Sequence, residues 1–197
     1  LKRGKMSADL RASFDTGLLR AAEKLNELRV AYLRLLEPVF FELLSGLVDL
    51  PDLTLGYYSG WSVNRHYADI LEETLVRDLQ LGYTQRGPQR ADIKFTLHGV
   101  NAVERLSRGQ HKLVVIALKL AQGKLLSELE GRKCVFLVDD LAAELDWTHR
   151  QEICKQLIDL ETQVFVTSVG ADELKECWPK EVKVKMFHVK HGQVSQE

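Results

Sequence analysis

No apolar run in this chain reaches the roughly 18–20 residues that a membrane-spanning helix requires, so membrane partners are not expected. The first residues, Leu1-Lys2-Arg3-Gly4-Lys5, carry positive charge with no apolar stretch behind them, which excludes a signal peptide at this point. A start at Leu rather than Met suggests a fragment or a processed product. Cysteine is scarce: Cys134, Cys154 and Cys177 are odd in number and lack CxxC spacing, which argues against a disulfide framework or zinc site and fits a reducing cytoplasm. The histidines (His66, His98, His111, His149, His188, His191) show no metal-ligand spacing, and His188 and His191 read as surface residues. Charge of one sign is also lacking. With a net charge of −1, any nucleic-acid contact has to come from a local patch or from another part of the molecule. There is no internal repeat and no low-complexity segment. What remains is 197 residues, 45% of them hydrophobic, enough for one sizeable domain or a compact domain with a projecting arm.

Residues 7–48 hold the longest helical pattern. Leu10, Phe14, Leu18, Ala21, Leu25, Leu28, Tyr32, Leu35, Val39, Leu43 and Leu47 recur at steps of three and four, predicting one apolar stripe that needs a partner helix. Ser7 with Asp9 marks its start, and Pro38 is expected to kink or interrupt it near Glu37. A helical arm is the reading; an ordinary bundle helix is the plain alternative. A strand follows at Leu53–Tyr58. Asn64 is expected to cap a helix to about Leu81, with Tyr67, Ile70, Leu71, Leu75 and Leu79 inward. Ile93–His98 alternates like a strand closed by Gly99, and an apolar-rich helix runs from Ser107 to about Leu129. Lys133–Val138 reads as a strand buried on both faces, with Cys134, Phe136 and Phe165 in the core. Helix 147–159, strand Gln163–Thr167, a short helix near Asp172–Cys177 and strand Val182–Val189 complete an alternating α/β order with a mostly parallel sheet.

Two constellations carry chemistry. Cys134-Val135-Phe136-Leu137-Val138-Asp139-Asp140 resembles a Walker B strand, in which a buried strand delivers carboxylates to the sheet's carboxyl edge. There Asp139 can hold Mg²⁺ and Asp140 can orient or deprotonate an attacking water. An acidic turn after a strand is the bland alternative. The residues that follow favour the first reading, because Leu141-Ala142-Ala143-Glu144-Leu145-Asp146 resembles the D-loop of ABC-type ATPases, and Asp146 also suits an N-cap for the helix at Trp147. The second constellation, Leu106-Ser107-Arg108-Gly109-Gln110, matches the ABC signature LSxGQ directly before an apolar helix, whose unpaired amides and partial positive charge make an anion site. A plain serine N-cap is its alternative. No GxxxxGK[ST] phosphate loop occurs. Gly123-Lys124 lacks the preceding glycine and has Leu125 in the hydroxyl position, so the chain carries half of an ATP site.

Tyr83-Thr84-Gln85-Arg86-Gly87-Pro88-Gln89-Arg90-Ala91-Asp92 looks like the TxxGPHRAD-type segment of the RecF recombination-mediator family, with Gln89 in place of the usual histidine. The likeness continues in order through Leu106–Gln110, Lys112-Leu113, Ala117–Gly123, Leu137–Asp140, Ala143–Asp146 and Gln163–Thr167. It is weaker earlier, at Phe14-Asp15 and Gly60-Trp61. The resemblance implies a partial ABC-type α/β ATPase head with a helical arm: 1–50 the arm, 51–105 a connecting α+β segment, 106–197 the ATPase lobe. It also implies a Walker A half of similar length on the amino side. By the same resemblance the full-length protein is a bacterial cytoplasmic, nucleoid-associated repair factor with slow, DNA-stimulated hydrolysis of ATP with Mg²⁺. It would dimerise on ATP, bind double-stranded and gapped DNA, and help load recombinase with RecO and RecR.

Ser107, Arg108, Gly109 and Gln110 would bind ATP in trans, Asp139 the metal, Asp140 the water, and Glu144 and Asp146 the D-loop contacts. The Asp at 140, where transporters have Glu, fits slow hydrolysis. No histidine follows the Gln163–Thr167 strand, and Thr167 or Ser168 can offer a hydroxyl instead. Arg86, Arg90, Lys94, Arg105 and Arg108 are candidate phosphate contacts, against ordinary solvated charge. Rival readings are another ABC/SMC-type DNA-repair head and a non-catalytic protein-interaction module.

Overall fold

The structure is a computed structural model that describes residues 8–141, 145–170 and 176–196. Its elements run α1 (Ala8–Leu47), β1 (Leu53–Tyr58), α2 (Tyr67–Leu81), β2 (Asp92–Leu97), β3 (Val100–Asn101), α3 (Arg108–Glu130), β4 (Val135–Val138), α4 (Trp147–Asp159), β5 (Gln163–Val166), β6 (Phe187–Lys190) and β7 (Gln193–Gln196). Two compact units divide it, Leu1–Val115 and Ile116–Glu197, with the boundary inside α3.

In the first unit, α1 runs without interruption through Pro38. The expected break is absent because one missing amide donor is a local cost. The turns around it are held by tertiary packing: Leu36, Phe40 and Leu44 are buried, and the Phe40 ring lies 5.3 Å from that of Phe95 on β2. The buried stripe of α1 is Ala22, Leu33, Leu36, Phe40, Leu44 and Leu47. Of the predicted stripe, Phe14 is 65% exposed, and Leu18, Leu25, Leu28, Tyr32 and Leu35 are exposed with it. The helix is apolar on two adjacent faces, and the chain covers the one displaced by about a residue from the predicted set. Ser7 and the side chains of Asp9 and Leu10, named as its start, lie outside the described residues.

β1 pairs antiparallel with β2, Leu53 opposite Leu97 and Tyr58 opposite Asp92, and β2 turns back to β3. His98 and Gly99, both at positive φ, form that tight turn. A second cluster joins Ala22 of α1 with Trp61, Tyr67 and Ile70, the Trp61 and Tyr67 rings stacked at 4.6 Å. The N-cap of α2 is His66, not Asn64. Residues before it are taken up by a turn in which the Arg65 N–H donates to the Ser62 carbonyl, and the helix starts where Tyr67 reaches the cluster. Leu79, expected inward, is exposed, and Asp78 is buried in its place.

In the second unit β4 and β5 pair in parallel, Val135 with Gln163 through Val138 with Val166. This is the parallel pairing among the described strands; β6–β7 is an antiparallel hairpin that begins only at Phe187, so the strand expected at Val182–Val189 is shorter and later. The β4–β5 ribbon is covered on one face, where the Phe136 ring closes on α3 so tightly that a Cβ at Gly123 would sit 2.5 Å from it. Its other face presents Val135, Leu137 and Phe165, with Leu137 79% exposed. The strand predicted to be buried on both faces is therefore covered on one, and Phe165 is not core. A strand's side chains alternate between faces, and this ribbon has a helix against one of them. The short helix expected at Asp172–Cys177 falls on residues 171–175, outside the described residues, and Glu176–Cys177 form a turn.

Candidate functional site

Three local assemblies hold the residues singled out by the sequence. The first is the start of α3. Ser107 precedes the helix, its hydroxyl accepts from the Gln110 main-chain N–H at 3.2 Å, and the Gln110 side-chain oxygen accepts from the Ser107 N–H at 2.9 Å. This reciprocal capping box satisfies two end groups and fixes the direction in which the helix leaves. It accounts locally for the serine and the glutamine. It leaves the first-turn amides of Arg108 and Gly109 without carbonyl partners in their own helix, at the positive end of its dipole. Ser107, Arg108 and Gly109 are exposed, and a Cβ at Gly109 would meet only the Ser107 hydroxyl oxygen at 3.9 Å, so the backbone there is open to a bulky anion. Behind the tip, Leu106 is buried and the His111 ring nitrogen lies 3.2 Å from the Ala102 carbonyl.

The second assembly is the carboxyl end of β4–β5. Thr167 continues β5, its N–H donating to the Val138 carbonyl at 3.0 Å. That places its hydroxyl between the two acids: it donates to Asp139 Oδ1 at 2.5 Å and accepts from the Asp140 N–H at 2.9 Å. Asp140 has a φ of +48°, a left-handed backbone conformation at the end of the strand. Ser168 is turned into its own loop, bonding the carbonyl and amide of Gly170. Of the two hydroxyls considered, Thr167 is the one that meets the acidic pair. The donors at this edge are all oxygens, the set a Mg²⁺ ion prefers, so the residues fit that metal. Among the described residues no cluster of three His, Cys, Asp or Glu is arranged for a metal. Glu144 lies outside the described residues. Asp146 caps α4: its carboxylate accepts the His149 N–H at 3.1 Å and meets His149 Nδ1 at 2.6 Å. The main-chain hydrogen bond from His149, followed by the ring contact, lowers its pKa.

The third assembly is the segment 83–91, and it is held from every side. Asp78 is 4% exposed and accepts from both the main-chain N–H and the side-chain amide of Gln85, each at 3.1 Å. Tyr67 donates its hydroxyl to the Arg86 carbonyl at 2.8 Å, and burial, with Asp78 and Asp15 adding, raises its pKa to about 12. The Gly87 N–H donates to the Gly60 carbonyl, and the two glycines approach so closely that a Cβ on Gly60 would lie 1.8 Å from the Gly87 oxygen. Arg29 of α1 reaches the Pro88 carbonyl at 2.7 Å. Gln89, where a histidine was expected from the resemblance, braces the loop by donating to the Thr84 carbonyl at 2.9 Å. The result is a rigid platform carrying Arg86, whose guanidinium donates to the Tyr58 hydroxyl at 3.1 Å, and Arg90, exposed at the end of the turn Pro88–Arg90. Sequence reasoning placed Tyr67 inward without assigning it this contact, and it missed Asp78. The available signal was a carboxylate on the inward face of α2 at the spacing of Leu71 and Leu75, a place that requires partners.

Comparison with known proteins adds the following. Residues 15–195 match the family described as RecF/RecN/SMC N terminal domain. The DNA replication and repair protein RecF of Pseudomonas paraeruginosa is 49% identical over 196 residues, covering 100% of this chain and 53% of that protein. RecF of Pseudomonas fluorescens is 46% identical over the same span. The chain thus spans about half the length of the curated relatives it matches. Among solved structures, the recombination mediator protein RecF-ATP of the RecFOR pathway superposes with a TM-score of 0.75 at 23% identity, over 100% of this chain and 52% of that one, a likeness of fold. A second, the same mediator with ATPγS, gives 0.77 at 25% identity over 99% and 52%.

Proposed function

The chain belongs to the RecF/RecN/SMC N-terminal domain family, on its RecF branch, and from that premise we propose that it is the carboxy-terminal half of a RecF-like DNA repair and recombination mediator. In this reading 1–50 serve as a helical arm, 51–105 connect, and 106–197 form the part of an ABC-type head bearing signature and Walker B. The observation that carries it is the pairing of kinds of site within one chain. An exposed helix tip with free first-turn amides stands at Ser107–Gln110, and an acidic strand tip of oxygen donors stands at Asp139. No phosphate loop accompanies them.

ATP binding then needs Walker A residues that are not part of this sequence. Ser107, Arg108, Gly109 and Gln110 contact the terminal phosphate held by a second copy, where the helix amides stabilise negative charge. Asp139, oriented by the Thr167 hydroxyl, holds Mg²⁺, which supplies charge neutralisation at the phosphate oxygens. Asp140 orients the attacking water, and Glu144 and Asp146 contact the partner copy. Arg86 and Arg90, on their rigid loop, touch duplex or gapped DNA. The full-length protein is a slow, DNA-stimulated ATPase whose ATP-dependent homodimer works with RecO and RecR at gaps to promote recombinase loading. This half alone is inactive in hydrolysis.

The test is Ser107→Arg in the full-length protein, which places a long cation on the exposed helix tip. ATP binding by one copy is retained, and ATP-dependent dimerisation, read by sedimentation, is lost. A normal dimer in that variant refutes the trans contact.

A further inference from the structure

Beside the platform that carries Arg86 lies an open cleft of about 510 Å³, walled by the end of β1 (Tyr57, Tyr58), the turn Ser59–Arg65 and the inner side of α2 (Ile70, Glu73, Thr74). Two guanidinium groups enter its lining, those of Arg86 and Arg65. Outside the lining, the ammonium of Lys94 stands 5.2 Å from the centre of the Tyr58 ring. One carboxylate opposes them: Glu73 holds Arg65 at 2.7 Å. The cleft is open: Val63 is 67% exposed and the Arg65 side chain is half exposed. A small-molecule site encloses most of its ligand. This one fits a group that belongs to a longer chain running past it.

We propose that this cleft seats a phosphodiester group of a nucleic-acid strand, gripped by Arg86 and Arg65. The proposal rests on the DNA-binding part of the function proposed above and adds to it the place and the residues Arg65 and Glu73. The rigidity of the loop matters here. The Arg86 main chain is fixed by Tyr67 and Gly60, so its guanidinium is presented with little ordering cost on binding. Glu73 sets the resting state: it holds Arg65 until a phosphate competes for it, which makes Glu73 a restraint on affinity.

The experiment uses the whole 197-residue chain and fluorescence anisotropy at low salt with two labelled probes, a 20-base-pair duplex and a 20-nucleotide oligo-dT; the arm that responds names the source of the phosphodiester. Arg86→Gln and Arg65→Gln each weaken binding about tenfold and lower the salt slope by about one, as loss of one phosphate contact does. Glu73→Gln strengthens it about threefold by freeing Arg65, a gain that misfolding cannot produce. Arg77→Gln, on the same helix but outside the lining, is the control. Binding in which Arg86→Gln and Arg65→Gln match the control, or in which Glu73→Gln weakens, overturns the cleft while leaving DNA binding elsewhere intact. A wild-type chain that binds neither probe overturns it as well, and the wider functional reading is judged separately by the Ser107→Arg dimerisation assay.

Discussion

Replacing Asp78 separates charge from hydrogen bonding in the support of the Arg86 loop. Its Oδ1 accepts the main-chain N–H and Nε2 of Gln85, each at 3.1 Å, and its Oδ2 lies 3.0 Å from the Thr74 hydroxyl, which is also 3.0 Å from the Ile70 carbonyl. In Asp78→Ala, Thr74 keeps Ile70, but two Gln85 donors lose their acceptor in a place water reaches poorly. At about 1–1.5 kcal/mol each, the loss is about 2–3 kcal/mol, or about 30- to 150-fold in the unfolding equilibrium. In Asp78→Asn the amide oxygen keeps both Gln85 bonds. Its NH₂ donates one hydrogen to Thr74, whose proton goes to Ile70, so each existing contact is kept with one Asn N–H left over, and the cost falls to about 1 kcal/mol, below that of Ala. Urea unfolding read by Trp61 fluorescence, in a background with Trp147 and Trp178 changed to Phe, measures both variants, since Trp61 stacks on Tyr67 beside the loop. Equal destabilisation by Ala and Asn would make the negative charge the operative feature and refute the hydrogen-bond account. A cost below about 1 kcal/mol for Ala would show that the loop does not depend on Asp78.

Three further outcomes are expected. Gly60→Ala, at a φ of +98° and with a Cβ 1.8 Å from the Gly87 oxygen, destabilises by more than about 3 kcal/mol in the same unfolding assay; a variant as stable as wild type would mean that the Gly60–Gly87 approach is not present in solution. Because the folded pKa of Asp146 is depressed, its contribution to stability is full above the unfolded value of about 3.9 and is lost as pH falls through the lower folded value. Asp146→Asn, which still caps α4, therefore removes this acid sensitivity, and an unchanged acid melting curve would refute the contribution of the ionised carboxylate. Burial, with Cys177 alongside, raises the Cys154 thiol to about 12, so at pH 8 a thiol reagent modifies partly exposed Cys134 rapidly and Cys154 only as the chain unfolds; equal rates, read by mass spectrometry, would contradict the buried placement.

The sequence by itself determined the features that depend on neighbours along the chain. β1 at Leu53–Tyr58, α4 at Trp147–Asp159 and the start of α3 follow from alternation, helical spacing and end-capping residues, and the Ser107–Gln110 box and the Asp146 cap are local by nature. So is the order of signature-like and Walker-B-like segments, which carries the resemblance to RecF. Tertiary structure decided the rest. Which of two apolar faces of α1 is covered depends on where Phe95 and the Trp61 cluster lie. Pro38 is tolerated because packing outweighs a single lost donor, and Leu137 is exposed because one face of the β4–β5 ribbon has a helix against it and the other does not. Asp78 under the Arg86 loop, Thr167 between the two acids and the Arg65–Glu73–Arg86 cleft join residues distant in sequence or on different elements. Periodicity reports which side chains share a face, but only the packed chain fixes what that face meets.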